Sequence, residues 1–202
     1  MHTYLEKKFK IPALAGISSN TITEHLKLYA GYVKHSNLIL QKISELSATP
    51  EAAEKNVYAI GELRRRFGFE FDGMRNHEYY FAQFEGAPKQ ADQKSPLSKK
   101  IASVWGNFDA WFKEFNTLAM TRGIGWAILY YDPTADTLLN VWADEQHLGH
   151  LTGLKPILML DMWEHSFMLD YPPSEKKKYV EAFFTNLNGE VVEERFAEAV
   201  GK

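Results

Sequence analysis

Cysteine is absent from the 202 residues, which excludes disulfides, thiolate metal ligands and iron–sulfur clusters together. Any metal the chain holds must therefore be bound through nitrogen and oxygen. Long apolar runs are missing too. Nowhere do about 18 apolar residues follow one another as a membrane-spanning helix needs, and the first residues lack the basic start and apolar stretch of a secretory leader. A soluble, cytoplasmic protein with no membrane partner is the expectation. Nor does one sign of charge dominate. With 23 basic and 26 acidic residues the net charge is -3, which leaves no footprint for nucleic acid. The basic run Lys176-Lys177-Lys178 reads as a solvated helix start. What the chain does have is apolar material. At 45% hydrophobic and 14% aromatic it can pack one sizeable domain, or two small ones sharing an interface.

Ser18 to Thr21 are good helix-capping residues, and Ile22, Leu26, Tyr29 and Val33 then recur at helical spacing. A first helix is predicted over 21–46, ending before Ala48-Thr49-Pro50. A second helical segment starts near Pro50 or Val57 and runs through Phe81, with an interruption expected around 67–73. The two form an antiparallel hairpin. Residues 86–96 are polar, proline-bearing and aperiodic, so they read as a linker. From Ser98 the pattern is helical again until Gly123-Ile124-Gly125. Two strand-like runs, 126–131 and 137–142, follow around a turn signature, Asp132-Pro133-Thr134-Ala135-Asp136. Residues 157–160 are a third strand candidate, and helices are predicted over 174–187 and 190–200. The plan is α+β: a helical hairpin domain over 1–90, then an α/β domain over 91–202 with a small three-stranded, mainly antiparallel sheet.

The run Asp161-Met162-Trp163-Glu164-His165 stands directly after the apolar stretch Ile157 to Leu160. If a buried strand ends there and a helix begins, a carboxylate and an imidazole enter one pocket, a pairing suited to zinc, iron or manganese. The same spacing also arises from a helix cap with a surface histidine. Other ligands must come from the seven histidines. His2 is terminal and His35 lies among polar residues. His25 and His77 each sit in a long helix beside apolar and aromatic neighbours, where each could equally be a satisfied, half-buried histidine. Two helices of a hairpin can nevertheless aim one imidazole each across their interface, towards a site between the two halves.

Asp161-x-Trp163-Glu164-His165, Asn76-His77-x-x-Tyr80-Phe81, Gly123-Ile124-Gly125-Trp126-Ala127, Thr152-Gly153-Leu154-x-Pro156 and His25 upstream of Tyr32-Val33 resemble, in this order, the iron/manganese superoxide dismutase family. The resemblance covers nearly the whole chain. It implies conversion of superoxide to oxygen and hydrogen peroxide at one iron or manganese ion per subunit, with His77, Asp161 and His165 as ligands. The first ligand is His25 if the helix starts are aligned, and Glu24 if Tyr32-Val33 is aligned. The family's ligand lies eight residues before its tyrosine, whereas His25 lies seven before Tyr32. In a plain α-helix residue i+7 shares the face of i, while i+8 is rotated roughly 80° away. An eight-residue spacing thus needs an extra, looped-out residue as in a π-bulge, which this chain would have lost while keeping the face.

The resemblance further implies that Tyr32 gates substrate and relays protons, that Trp126 and Trp163 wall the pocket, and that a glutamine tunes the metal. Gly73 occupies one of the family's two glutamine locations and Gln146 lies near the other, which leans towards manganese; His147 is adjacent and could substitute. Tyr29 stands one turn above His25. The family's polar pair across the subunit interface is matched by Leu28, or Tyr29, and Met168. Glu164 is retained, and with His165 it implies a homodimer. The rival reading is a metal-free or redox-altered scaffold acting in protein interaction. A non-haem iron oxygenase would need a pocket for an organic substrate, of which the sequence shows no sign.

Overall fold

The Ser18 side chain caps the first helix, accepting the amide of Thr21 at 3.1 Å. Satisfying one of the exposed first-turn amides lets helix α1 start at that point. In the computed structural model, which describes residues 2–201, α1 spans Ser19–Leu46. A short α2 (Pro50–Lys55) leads into α3 (Val57–Ala82), which packs antiparallel on α1. The buried face of α1 carries Thr21, His25, Tyr29, Val33 and Ser36, a three-to-four-residue rhythm that faces α3. No break occurs in α3 at 67–73, contrary to the interruption expected there; Gly68 and Gly73 are accommodated within the helix because neighbours pack against them.

The helical stretch from Ser98 is two helices, α4 (Pro96–Trp105) and α5 (Phe108–Ala119), separated at Gly106, whose φ of 86° is left-handed. The sheet follows: β1 (Gly125–Asp132), β2 (Thr137–Asp144) and β3 (Lys155–Asp161), in the order β2-β1-β3 and antiparallel throughout. Being central, β1 is buried along almost its full length. Its register sets Trp126 opposite Asp161, so the start of one strand and the end of another reach the same place. After Asp161 the chain makes one 3-10 turn, Glu164–Ser166, in place of the helix start that would aim both Asp161 and His165 into one pocket. Helices α6 (Lys176–Thr185) and α7 (Gly189–Ala199) complete the molecule. Side chains of α1 and α3 (Tyr29, Met74, Tyr80, Phe81) share one continuous core with those of the sheet (Trp126, Ile128, Leu158, Leu160).

Candidate metal centre

Four side chains from four elements converge where α1, α3 and the end of β3 meet. His25 comes from α1, His77 from α3, Asp161 from the end of β3, and His165 from the turn beyond it. Their Nε2 atoms lie 3.1, 3.6 and 3.2 Å from Asp161 Oδ2 for His25, His77 and His165 respectively. One candidate ligand atom from each residue lies within 4.8 Å of all the others. His25, His77 and Asp161 are fully buried, while His165 keeps 20% of its side chain exposed.

Each group is aimed by its surroundings. His77 Nδ1 donates to the Gly73 carbonyl at 2.5 Å, which leaves a lone pair on Nε2. Asp161 Oδ1 accepts the Trp163 amide at 2.8 Å, turning Oδ2 to the imidazoles. The Asp161 main-chain carbonyl accepts the hydroxyls of Tyr179 (2.9 Å) and Ser166 (3.1 Å), and Tyr179 also meets the Tyr80 hydroxyl at 3.1 Å. His25 is walled by the rings of Tyr80 and Phe81, and His165 stacks on Trp163.

The donor set fits a first-row metal. Three imidazole nitrogens and one carboxylate oxygen suit iron, manganese or zinc. Bonds of about 2.1 Å put two ligands of one ion roughly 3 to 4 Å apart, the range of the three distances to Oδ2. The Nε2 atom of His77 has no hydrogen-bond partner among the described residues although it is fully buried. An orphaned lone pair aimed at a carboxylate costs free energy unless a cation lies between them.

Protonation states agree with ligation. Burial pushes the His25 imidazole below its usual value against the opposing pull of Asp161. Burial, and then His25, lower His77 to about 3. For Asp161, burial alone raises the carboxyl, but His165 and His25 outweigh it and hold it below the ordinary carboxylate range. Both imidazoles are thus neutral near pH 7, as a metal requires. The metal-free protein should accordingly lose stability in acid. Between about 3 and the ordinary 6.5, unfolded His77 takes up a proton that folded His77 refuses, so stability falls as pH drops through that window. Asp161 acts in the same direction below the unfolded carboxylate value of about 3.9. Thermal melts of metal-free protein from pH 7 to 4 measure this; a Tm that stays flat contradicts it.

Glu24, the other candidate for the first ligand, is exposed and pairs with Lys27 at 2.7 Å. Replacement by glutamine should leave metal content unchanged and shift stability by no more than about 0.5 kcal/mol; loss of metal in Glu24→Gln would show that α1 is turned the other way. The helix is α-helical throughout, so His25 and Tyr32 share a face without a bulge.

Gln146 is fully buried, and its Nε2 donates to the Tyr32 hydroxyl at 3.0 Å while its Oε1 accepts the Trp126 indole at 2.9 Å. Tyr32 lies 5.1 Å from the His77 ring, centre to centre, and burial, then Asp161, raise its phenol well above the usual value. His147 does not reach this network: its ring edge meets Phe69, and its Nδ1 is buried without a partner among the described residues. Tyr29 points elsewhere as well. Its hydroxyl accepts the Lys7 amide at 2.8 Å and approaches Glu78 at 3.3 Å, tying the first residues to the hairpin. Glu164 is exposed beside His165, and the surface also carries Leu28 and Met168. Asn76, quoted in the sequence motif without a role, donates to the Gln146 carbonyl at 2.9 Å. Its place directly before His77 on α3 was the available signal.

Residues 93–195 match the family described as iron/manganese superoxide dismutases, C-terminal domain. Over 193 residues the chain is 35% identical to a superoxide dismutase [Fe] of Aquifex pyrophilus, covering 93% of this chain and 87% of that one. It is 33% identical over 191 residues to a superoxide dismutase [Fe] of Cupriavidus metallidurans, covering 93% and 92%. Identity to a superoxide dismutase [Mn] of Mycolicibacterium fortuitum is 33% over 180 residues, covering 88% and 83%. The chain belongs to the iron/manganese superoxide dismutase family.

Proposed function

We propose that the protein is a superoxide dismutase in which His25, His77, Asp161 and His165 hold one iron or manganese ion. The observation that carries this reading is the convergence of three Nε2 atoms on one buried carboxylate oxygen, with His77 Nε2 otherwise unpartnered. Residues 1–90 supply two of these ligands and residues 91–202 the other two, so the proposed site joins the two halves of the chain. When bound, the ion supplies redox chemistry by alternating between +3 and +2: two superoxide radicals and two protons give one oxygen and one hydrogen peroxide.

The chain's residues divide the remaining work. Tyr32 keeps its proton because burial and Asp161 disfavour the phenolate, so its hydroxyl can donate towards the site while accepting from Gln146. Gln146 ties Tyr32 to Trp126 and fixes the distance between the phenol and the ligands. Trp126 and Trp163 keep bulk water from the ligands, which strengthens every charge interaction inside. A glutamine at 146 combined with Gly73 on α3 supports manganese over iron.

A homodimer through the Glu164 and His165 region fits the exposed carboxylate next to a partly exposed ligand, and Leu28 and Met168 are apolar side chains left 41% and 50% exposed. The neutral to slightly acidic composition and the absence, among the described residues, of a helix able to cross a membrane agree with a cytoplasmic location. Reconstituting metal-free protein with manganese or iron and following superoxide loss tests the reading. The manganese form should be the more active. Two inactive but fully loaded forms would favour a scaffold that binds metal without catalysis.

A further inference from the structure

Gln146 is carried by a very tight turn at the end of β2. Asp144 and Leu148 exchange both main-chain hydrogen bonds, at 2.7 and 3.1 Å, leaving only Glu145, Gln146 and His147 between them. Glu145 sits at a φ of 51°, a left-handed conformation that is strained for a residue with a side chain. Such a turn persists only if its surroundings over-determine it. The Glu145 carbonyl accepts the Trp163 indole at 3.0 Å. The Gln146 carbonyl faces two donors, Asn76 Nδ2 at 2.9 Å and His150 Nε2 at 3.0 Å.

The other end of His150 is engaged too. Its Nδ1 lies 2.5 Å from the Tyr130 hydroxyl. One assignment satisfies every group: Tyr130 donates to Nδ1, so the proton sits on Nε2, which donates to Gln146. The Asn76 and His150 nitrogens are 3.3 Å apart because both serve one carbonyl with two lone pairs. Tyr130 lies four residues after Trp126 on β1, hence on the same face of the strand. That face therefore grips Gln146 twice, with Trp126 on the amide and Tyr130, through His150, on the main chain.

We propose that His150 and Tyr130 are positioning residues for Gln146, holding its carbonyl so that its amide stays seated between Tyr32 and Trp126. This rests on Gln146 acting in dismutation, and it adds two residues that touch neither substrate nor ligand. His150→Ala removes the donor, His150→Gln returns an amide N–H at similar reach, and Tyr130→Phe removes only the hydroxyl that sets the tautomer. Each is assayed as loaded enzyme for kcat, KM and the midpoint potential of the metal couple, and by hydrogen exchange at residues 145–147.

His150→Ala should lower kcat about tenfold, the scale of groups that orient a metal's surroundings, with KM little changed, the potential displaced and exchange faster. Tyr130→Phe should move each quantity in the same direction by less, and His150→Gln should recover most of the loss. The proposal is overturned if His150→Ala keeps wild-type potential and exchange, or if His150→Gln is as impaired as His150→Ala, which would mean lost packing. Should His150→Ala fail to fold, Tyr130→Phe decides by the same measures. Gln146→Ala separates the two levels: full activity there refutes the role given to Gln146, while exchange in the His150 variants still tells whether His150 holds the turn.

Discussion

Asp161→Ala should leave a protein without metal. All three imidazoles aim their Nε2 atoms at Asp161 Oδ2, so removing the carboxylate removes the only anion of the cluster and the point on which it converges. Metal content should fall from about one ion per chain to nearly none, and dismutation by more than about 100-fold, beyond the range of changes that only touch a ligand's neighbours. The folded state should suffer as well. Trp163 loses the acceptor for its amide, and buried His25 loses the carboxylate that faces it. Leaving a buried hydrogen-bonding group without its partner costs about 1 to 3 kcal/mol for each group. Elemental analysis and thermal melts measure both effects. Stoichiometric metal in this variant would contradict the ligand set.

Gly73→Ala should uncouple stability from activity. A Cβ at this position would lie 2.6 Å from Tyr32 Cδ1, 2.8 Å from Cε1 and 2.9 Å from Cγ. The near atoms include the root of the ring, so Tyr32 cannot yield without leaving its rotamer, and its hydroxyl must then move from Gln146 Nε2. Alanine favours an interior helix position over glycine by about 1 kcal/mol, whereas overpacking costs about 1 to 3 kcal/mol. The melting temperature should therefore change little or fall modestly. Turnover should drop by about 10- to 100-fold, because the Tyr32–Gln146–Trp126 relay no longer stands in register. A raised Tm with full activity would show that Tyr32 has no fixed place in the mechanism.

The four proposed ligands were legible because each combines a chemically able side chain with apolar surroundings in the chain. His77 and Asp161 stand beside runs that can only be core, and the spacing from His25 to Tyr32 agrees with an uninterrupted helical face. Of the two candidates for the first ligand, His25 shares the helical face of Tyr32 and Glu24 does not, and burial agrees, leaving Glu24 in solvent with Lys27. Helix ends set by tertiary contacts were harder to read. Phe67 to Gly73 looked like a break because glycines punctuate it, but Gly73 is there to admit the Tyr32 ring. The length of the turn after Asp161 was not legible: Ser166 and Trp163 close a single 3-10 turn there. Gln146 and His147 are neighbours, and sequence could not say which points inward. That is settled by a left-handed Glu145 and by the side chains gripping the turn, all distant in the chain. Tyr29 shares the buried face of α1 with His25, yet its hydroxyl is drawn to Lys7 and Glu78, contacts that no periodicity reveals.

On the proposed reading this chain holds iron or manganese and uses it to consume superoxide. Elemental mass spectrometry on the purified protein, paired with a superoxide-consumption assay on the same sample, tests it most directly. Close to one iron or manganese ion per chain is expected, with activity that scales with metal content across preparations. Protein that binds neither ion even after reconstitution, or that binds one fully and consumes no superoxide, would contradict it.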